Sequence, residues 1–247
     1  MTPKPTTTAA PAPRASKSPV TLTIDIGGSG LKAMLLDAAG KPISERQRVP
    51  TPVVPTPALV IEGLDQLHKL LPDFDRVSIG YPGVVKHGVT YTAANLHPDW
   101  MGFAFQAELE KLWKRPVRVG NDADVQGYGA IHGDGVEMVI TLGTGMGAAL
   151  FTNGHLCPGL ELGHHPWLKR TYEDYLGRRG LDKYGKKMWN KLLKEAIAQT
   201  EATFNWDHLY LGGGNTKKIE FTLGPNVEIV PNENGLLGGV FLWKDQA

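Results

Sequence analysis

Residues 21–36 read TLTIDIGGSGLKAMLL, and residues 139–151 read VITLGTGMGAALF. Each is an apolar, β-branched run, a turn of small residues and a second apolar run, the pattern of a strand, a glycine turn and a returning strand. A shift of 116 residues places Ile24 on Ile140, Ile26 on Leu142 and Gly27 on Gly143, and further on Ala33 on Ala149, Met34 on Leu150 and Asp37 on Asn153. Any two glycine-rich hairpins share their glycines. These two also match outside them, which indicates an internal duplication. The expectation is an α/β chain whose two lobes each open on such a hairpin, an N-terminal lobe over 20–120 and a C-terminal lobe over 121–247.

Working outward, Ile43 to Val49 supplies a third strand, so the first lobe starts as an antiparallel meander. Thr56-Pro57 reads as an N-cap followed by proline at the first helical position, opening a helix to about Leu71. Leu59, Leu64, Leu67, Leu70 and Leu71 would share one face of it. Val77 to Gly80 and Val117 to Val119 read as strands, and Phe105 to Trp113 and Asp122 to His132 as helices. The second lobe continues with helices across 171–180 and 183–202, a strand His208 to Leu211, a β segment Val227 to Val230 and a final helix from Asn234. Residues 1–19, rich in Pro, Thr and Ala, carry no apolar periodicity and read as a disordered tail without the apolar stretch of a secretory leader. The expected compartment is the cytoplasm.

Of 247 residues, 26 are Lys or Arg and 25 Asp or Glu, for a net charge of +1. A global field for nucleic acid or membrane is not expected from that balance. Hydrophobic residues at 41% suit a soluble globular chain. No apolar run approaches the ~20 residues of a membrane span. One cysteine, Cys157, excludes an internal disulfide framework and a multi-cysteine zinc site. The outlier is glycine, 30 of 247 residues against a usual ~7%. Its clustering in short motifs suggests backbone approached closely by a ligand.

Three glycine turns each follow a strand: Gly27-Gly28-Ser29-Gly30, Gly143-Thr144-Gly145 and Gly212-Gly213-Gly214. Backbone N–H groups in such turns can converge on phosphate oxygens. None matches the P-loop pattern, and none opens a helix as a dinucleotide-binding turn does. Asp25, just before the first turn, can hold a hydrated Mg²⁺ facing phosphate or can simply cap the turn. Asp122, in Gly120-Asn121-Asp122-Ala123-Asp124, can cap the helix it opens or serve as a general base toward a substrate hydroxyl, with Asn121 beside it for neighbouring hydroxyls. Glu161 and His164, three positions apart around a glycine, offer an acceptor and a donor suited to a polyol, with a metal site as the competing reading. Lys183, Lys187, Lys191 and Lys194 follow 4-4-3 spacing. They form either a solvated helix face or a track for a polyanion.

These motifs, in order, resemble the ROK family of sugar kinases within the actin-like ATPase superfamily: Asp25-Ile26-Gly27-Gly28-Ser29 through Lys32, Gly80-Tyr81-Pro82-Gly83, Gly120-Asn121-Asp122-Ala123, Leu142-Gly143-Thr144-Gly145, Glu161-Leu162-Gly163-His164 and Leu211-Gly212-Gly213-Gly214. Tyr172 to Arg178 and Gly185 to Trp189 resemble the polyphosphate glucokinase branch, which includes polyphosphate/ATP glucomannokinases. The resemblance covers about 21–243. It implies an actin-like ATPase (ribonuclease H-like) fold with a cleft between the lobes, and phosphoryl transfer from polyphosphate or ATP to the 6-hydroxyl of glucose. Asp122 would then be the catalytic base, with Asn95, Asn121, Glu161, His164 and Glu173 on the sugar hydroxyls. Asp25, Gly27, Gly28, Ser29, Lys32, Gly143, Thr144, Gly145, Gly213 and Gly214 would line the phosphoryl-donor channel, with Mg²⁺ near Asp25.

The chain departs from the broader family between His164 and Glu173, where the family's cysteine-rich zinc motif is missing, as it is in the polyphosphate branch. Zinc is therefore not expected. The segment from Thr216 to Glu233 is short where the family has another helix, which weighs against an adenine pocket. The family tendency implies a homodimer. The competing readings are a strictly ATP-dependent kinase of another hexose, such as mannose or fructose, and a catalytically silent sugar-binding module.

Overall fold

The computed structural model describes residues 18–93, 96–157, 159–231 and 234–244. Residues 1–17, read as a disordered tail, lie outside that range. The first half runs β1 (Thr21–Gly27), β2 (Gly30–Leu36), β3 (Gln47–Val49), helix α1 (Pro57–Lys69), β4 (Arg76–Tyr81), a two-residue ladder of β5 (Val85–Lys86) and β6 (Val89–Thr90), α2 (Phe105–Trp113), β7 (Val117–Asn121) and α3 (Asp122–Tyr128). The second half runs β8 (Val136–Leu142), β9 (Met146–Thr152), β10 (His155–Cys157), a ladder of β11 (Pro166–Trp167) and β12 (Arg170–Thr171), α4 (Tyr172–Leu176), α5 (Arg178–Phe204), β13 (His208–Gly212), β14 (Val227–Ile229) and α6 (Asn234–Leu237).

Two five-stranded sheets result, in the orders β3-β2-β1-β4-β7 and β10-β9-β8-β13-β14. In each, the opening hairpin is antiparallel, and the third and fourth strands of the order pair in parallel. The duplication read from the sequence is thus a duplication of topology. Its register differs in one detail. Ile24 pairs with Ala33, whereas Ile140 pairs with Ala148. The shift of 116 holds along the first strand and falls to 115 in the second, because the turn after β8 is one residue tighter. Ala33 therefore corresponds to Ala148, not Ala149. The cores agree: Leu31 and Ala33 enter the first hydrophobic cluster, Met146 and Ala148 the second.

Helix α1 starts where Thr56 Oγ1 accepts the Leu59 N–H at 3.4 Å. It buries Val60, Leu64 and Leu67, at i, i+4 and i+7, onto the first sheet. Leu59 and Leu70 are exposed, so the expected leucine face is turned toward Val60. Helix α3 ends at Tyr128 rather than His132. The helix expected over 171–180 divides at Gly177, whose ψ of 177° is extended. Within α5, Gly185 is non-helical at φ 74°. Beyond α6 the chain continues as a 3-10 helix, Gly238–Trp243.

Although the reading of the lobes assigns residues after 121 to the second half, Gly238–Trp243 returns to the first sheet. Trp243 Nε1 donates to Ser78 Oγ at 2.8 Å, and the Arg76 and Arg118 guanidinium groups lie 5.0 and 4.4 Å from its ring. Val240 packs with Met34 and Leu36. Among the described residues no helix is long and apolar enough to cross a membrane.

Helix α3 touches both sheets at its first turn. A carbon added at Gly80 of β4 would lie 3.4 Å from Asp122 Cα. One added at Gly147 of β9 would lie 2.6 Å from Thr141 Oγ1 and 2.8 Å from Ala123 Cβ. Gly147→Ala is therefore expected to overpack this junction at about 1–3 kcal/mol. At this chain length that lowers the Tm by about 2–10 °C. Gly80→Ala, at ordinary contact distance, is the milder control. Thermal unfolding followed by circular dichroism checks both, and an unchanged Tm for Gly147→Ala would contradict the close packing.

Candidate active site

A cavity of about 570 Å³ opens between the two sheets. Its walls bring together residues far apart in sequence: Gly27, Gly28 and Ser29 of the first turn; Gly143, Thr144 and Gly145 of the second; Gly213 of the third; and Asn121, Asp122, Glu161, His164 and Glu173. Gly214, Asp25 and Lys32 are not among its lining residues. Asn95 lies outside the described residues.

The turns are held by their carbonyls. Thr51 Oγ1 donates to Gly27 O at 2.6 Å and Arg48 Nη2 to Ser29 O at 2.7 Å. The Arg178 N–H, at the start of α5, is shared between Gly143 O and Thr144 O at 3.0 and 3.1 Å, and Asn215 Nδ2 donates to Gly143 O at 2.8 Å. Gly213 sits at φ 92°, where a side chain would run into the Leu142 backbone. With these carbonyl oxygens engaged by the scaffold, the turns offer fewer acceptors to repel an anion.

Asn121 caps α3: its Oδ1 accepts from the Ala123 and Asp124 N–H groups at 2.8 and 3.3 Å, and its Nδ2 donates to Gly83 O at 3.1 Å. The cap of α3 is therefore Asn121 and not Asp122. Asn121 also lines the cavity. The amide keeps one N–H for a further partner. Asp122 Oδ1 accepts the Ala123 N–H at 2.8 Å. Burial first, then the charges of Asp25 and Glu161, push its carboxyl up to about 7. Asp124 is likewise pushed to about 7 by burial, then by Glu161 and Asp122.

Asp25 lies opposite Lys32 across the first hairpin, and Lys32 Nζ contacts Asp25 Oδ2 at 2.7 Å. Lys32 is thus engaged by a carboxylate. In the second lobe Glu161 Oε2 lies 3.8 Å from His164 Nε2. Burial raises the Glu161 pKa, opposed by His164 and reinforced by Glu173. Glu173 Oε2 accepts the Met146 N–H at 3.0 Å and lies where a side chain on Gly145 would be. The adjacent rings of His164 and His165 part: His164 lines the cavity, while His165 Nδ1 meets Pro166 O at 2.9 Å. Among the described residues no group of three or more His, Cys, Asp or Glu is placed to hold a metal ion.

The lysine stripe is not one stripe. Gly185 breaks the helix between Lys183 and Lys187, so the 4-4-3 spacing does not carry across it. All four lysines are exposed, none lines the cavity, and Lys191 is 4.0 Å from Glu195. Conversely, Thr92, Gln126 and Thr141 line the cavity without having been assigned a role. Thr141 falls on Asp25 under the shift of 116, and Gln126 follows Asp122 by four residues on one helix, so both carried a signal. Thr92 carried none.

Residues 21–180 match the profile described as ROK family. The polyphosphate glucokinase of Mycobacterium leprae (strain TN) is 32% identical over 207 residues, which is 80% of this chain and 64% of that protein. The chain thus spans just under two thirds of the length of that relative. The polyphosphate glucokinase of Mycobacterium tuberculosis (strain CDC 1551 / Oshkosh) is 31% identical, over 79% of this chain and 77% of its own. Among solved structures, the inorganic polyphosphate/ATP-glucomannokinase of Arthrobacter sp. strain KM superposes with a TM-score of 0.83 at 32% identity, covering 93% of this chain and all of that one. A ROK family glucokinase from Streptomyces griseus, at 21% identity and a TM-score of 0.72, covers 90% of this chain and 98% of its own and shares the fold.

A carboxyl raised from 3.8 to about 7 opposes folding when ionised. That penalty is absent below pH 4, grows between 4 and 7 and is complete above 7. Asp122→Asn is therefore expected to unfold at a higher temperature than the parent chain at pH 8, with the gap closing toward pH 4. A variant less stable than the parent at pH 8 would contradict the strained carboxylate.

Proposed function

The chain belongs to the ROK family, and from that premise and the make-up of its cleft we propose that it is a phosphotransferase moving the terminal phosphoryl of inorganic polyphosphate, with ATP as a second donor, to the 6-hydroxyl of glucose. The observation that carries this reading is Asp122. Its carboxyl, raised to about 7, stands in one cavity with three glycine turns and with Glu161, His164 and Glu173. A general base works best when its pKa lies near the working pH. The names and coverage of the polyphosphate glucokinase relatives and of the glucomannokinase structure support the same donor and acceptor.

In this mechanism Glu161, His164 and Glu173 orient the sugar through its hydroxyls. Asp122 accepts the proton of the 6-hydroxyl as that oxygen bonds to the terminal phosphorus. The bond from that phosphorus to the bridging oxygen breaks, and the donor leaves one phosphate shorter. Little covalent chemistry falls to the protein in such a transfer, which rests on positioning and charge. The glycine turns take the donor's oxygens, and the two lobes around the cleft exclude competing water.

The residues present fit a hydrated Mg²⁺, which keeps several waters and needs only one or two carboxylates beside substrate phosphates. Asp25, near enough to Asp122 to raise its pKa, would hold it through water. When bound it would neutralise phosphate charge. The reading includes no zinc, a homodimer without nucleic-acid or membrane partner, and a cytoplasmic location, consistent with the single, unpaired, exposed Cys157.

For a long polyanion, Arg178 and Arg179 beside the second turn and Lys217 and Lys218 after the third are better placed than Lys183, Lys187, Lys191 and Lys194. Replacing Lys217 and Lys218 with Gln is expected to raise the polyphosphate KM and to flatten its salt dependence. The ATP KM should move less. Equal effects on both donors would return these lysines to the solvated surface.

A coupled glucose 6-phosphate assay with polyphosphate and ATP in parallel, and mannose as a second acceptor, tests the whole reading. Product is expected with polyphosphate and glucose. Asp122→Asn should still bind glucose while losing about 10²–10⁴-fold in kcat. No product with either donor, or near-normal turnover in the variant, would overturn it.

A further inference from the structure

Helix α3 carries Asp122 and, one turn later, Gln126; both line the cavity. The Gln126 carboxamide is pressed against Gly212, at the root of the third glycine turn, closer than a side chain at 212 would allow. Its Nε2 is buried without a hydrogen-bond partner. A dry, unpaired amide N–H is unfavourable and persists in a folded protein when a ligand or water completes it. The two ends of a carboxamide are nearly equal in size, and half a turn about Cγ–Cδ exchanges them. The N–H can thus be presented either to Gly212 or to the cavity.

The position of the amide indicates what completes it. In the phosphotransferase reading the sugar hydroxyls have their partners in Glu161, His164 and Glu173. Gln126 stands instead between Asp122 and the Gly212-Gly213 turn. A group there that offers an acceptor and no proton is a phosphate oxygen. We propose that Gln126 donates a hydrogen bond to a phosphoanhydride oxygen of the phosphoryl donor beside the phosphorus under attack, and so fixes the donor relative to Asp122. This rests on the phosphotransferase reading and names a residue for its donor site.

The test uses the full chain and two variants. Gln126→Leu keeps the bulk and removes the N–H, while Gln126→Glu keeps the shape and places a carboxylate beside the donor. Losing a hydrogen bond to a charged oxygen is expected to raise the polyphosphate KM or lower kcat by about tenfold or more, with the glucose KM held within twofold. Gln126→Glu should lose more than Gln126→Leu, because its carboxylate repels the donor's oxygens. Tripolyphosphate titrated calorimetrically should bind Gln126→Leu more weakly than the parent. A raised glucose KM with donor parameters unchanged would place the amide on the sugar and overturn the proposal. So would unchanged kinetics with only a lowered Tm, the mark of a structural water. An inactive parent chain that binds no phosphate donor would overturn the functional reading itself, whereas an active parent with indifferent variants overturns only the role of Gln126.

Discussion

Everything in the cleft depends on how closely the first turn of α3 can approach two sheets at once. Gly80 and Gly147 supply that closeness from either side, and Ala123 is small enough to fit between. The Asn121 amide then fixes the start of the helix and reaches across to Gly83. From the back, Gly238 lets the C-terminal segment meet the Val125 backbone. Asp122 has little freedom left, which is the condition for a base that must meet one hydroxyl.

The same confinement sets its acidity. Burial is the largest influence on Asp122, ahead of its acidic neighbours Asp25 and Glu161. Of the carboxylates gathered here, Asp25 is neutralised by Lys32, while Asp124 and Glu161 are also raised. A cleft so acidic is a poor place for a polyanion unless cations accompany it. That gives the turns, with their carbonyls drawn back into the scaffold, and the hydrated divalent cation proposed beside Asp25 a physical reason to act together. The fold holds the acids at some loss of stability, as functional sites often do.

Much of this was legible in the sequence because it is periodic or punctuated. The duplicated hairpins, the helix at Thr56-Pro57 and the three turns are local signals, and the six ordered motifs tie them to a family. What was not legible is three-dimensional. The slip from 116 to 115 follows from a turn one residue tighter, which no residue type announces. The lysine spacing is regular in sequence, yet Gly185 takes a positive φ that breaks the helix beneath it. That Asn121 caps α3 and reaches Gly83 depends on the loop before β5, which lies far from it in sequence. Thr92 reaches the cavity from a loop tied to Tyr81, whose hydroxyl donates to Thr92 O at 2.8 Å, and to Val84, whose N–H donates to Thr92 Oγ1 at 2.9 Å.

In the proposed reaction one confined carboxylate, Asp122, ionises near neutrality and removes the proton from the sugar. The pH dependence of kcat/KM for glucose at saturating polyphosphate tests it most directly, because that quantity reports the pKa of the essential base before the sugar binds. The account predicts a rate that falls tenfold per unit below an apparent pKa of about 7 and levels off above it. A profile flat from pH 5 to 8, with protein stability unchanged across that range, would contradict it.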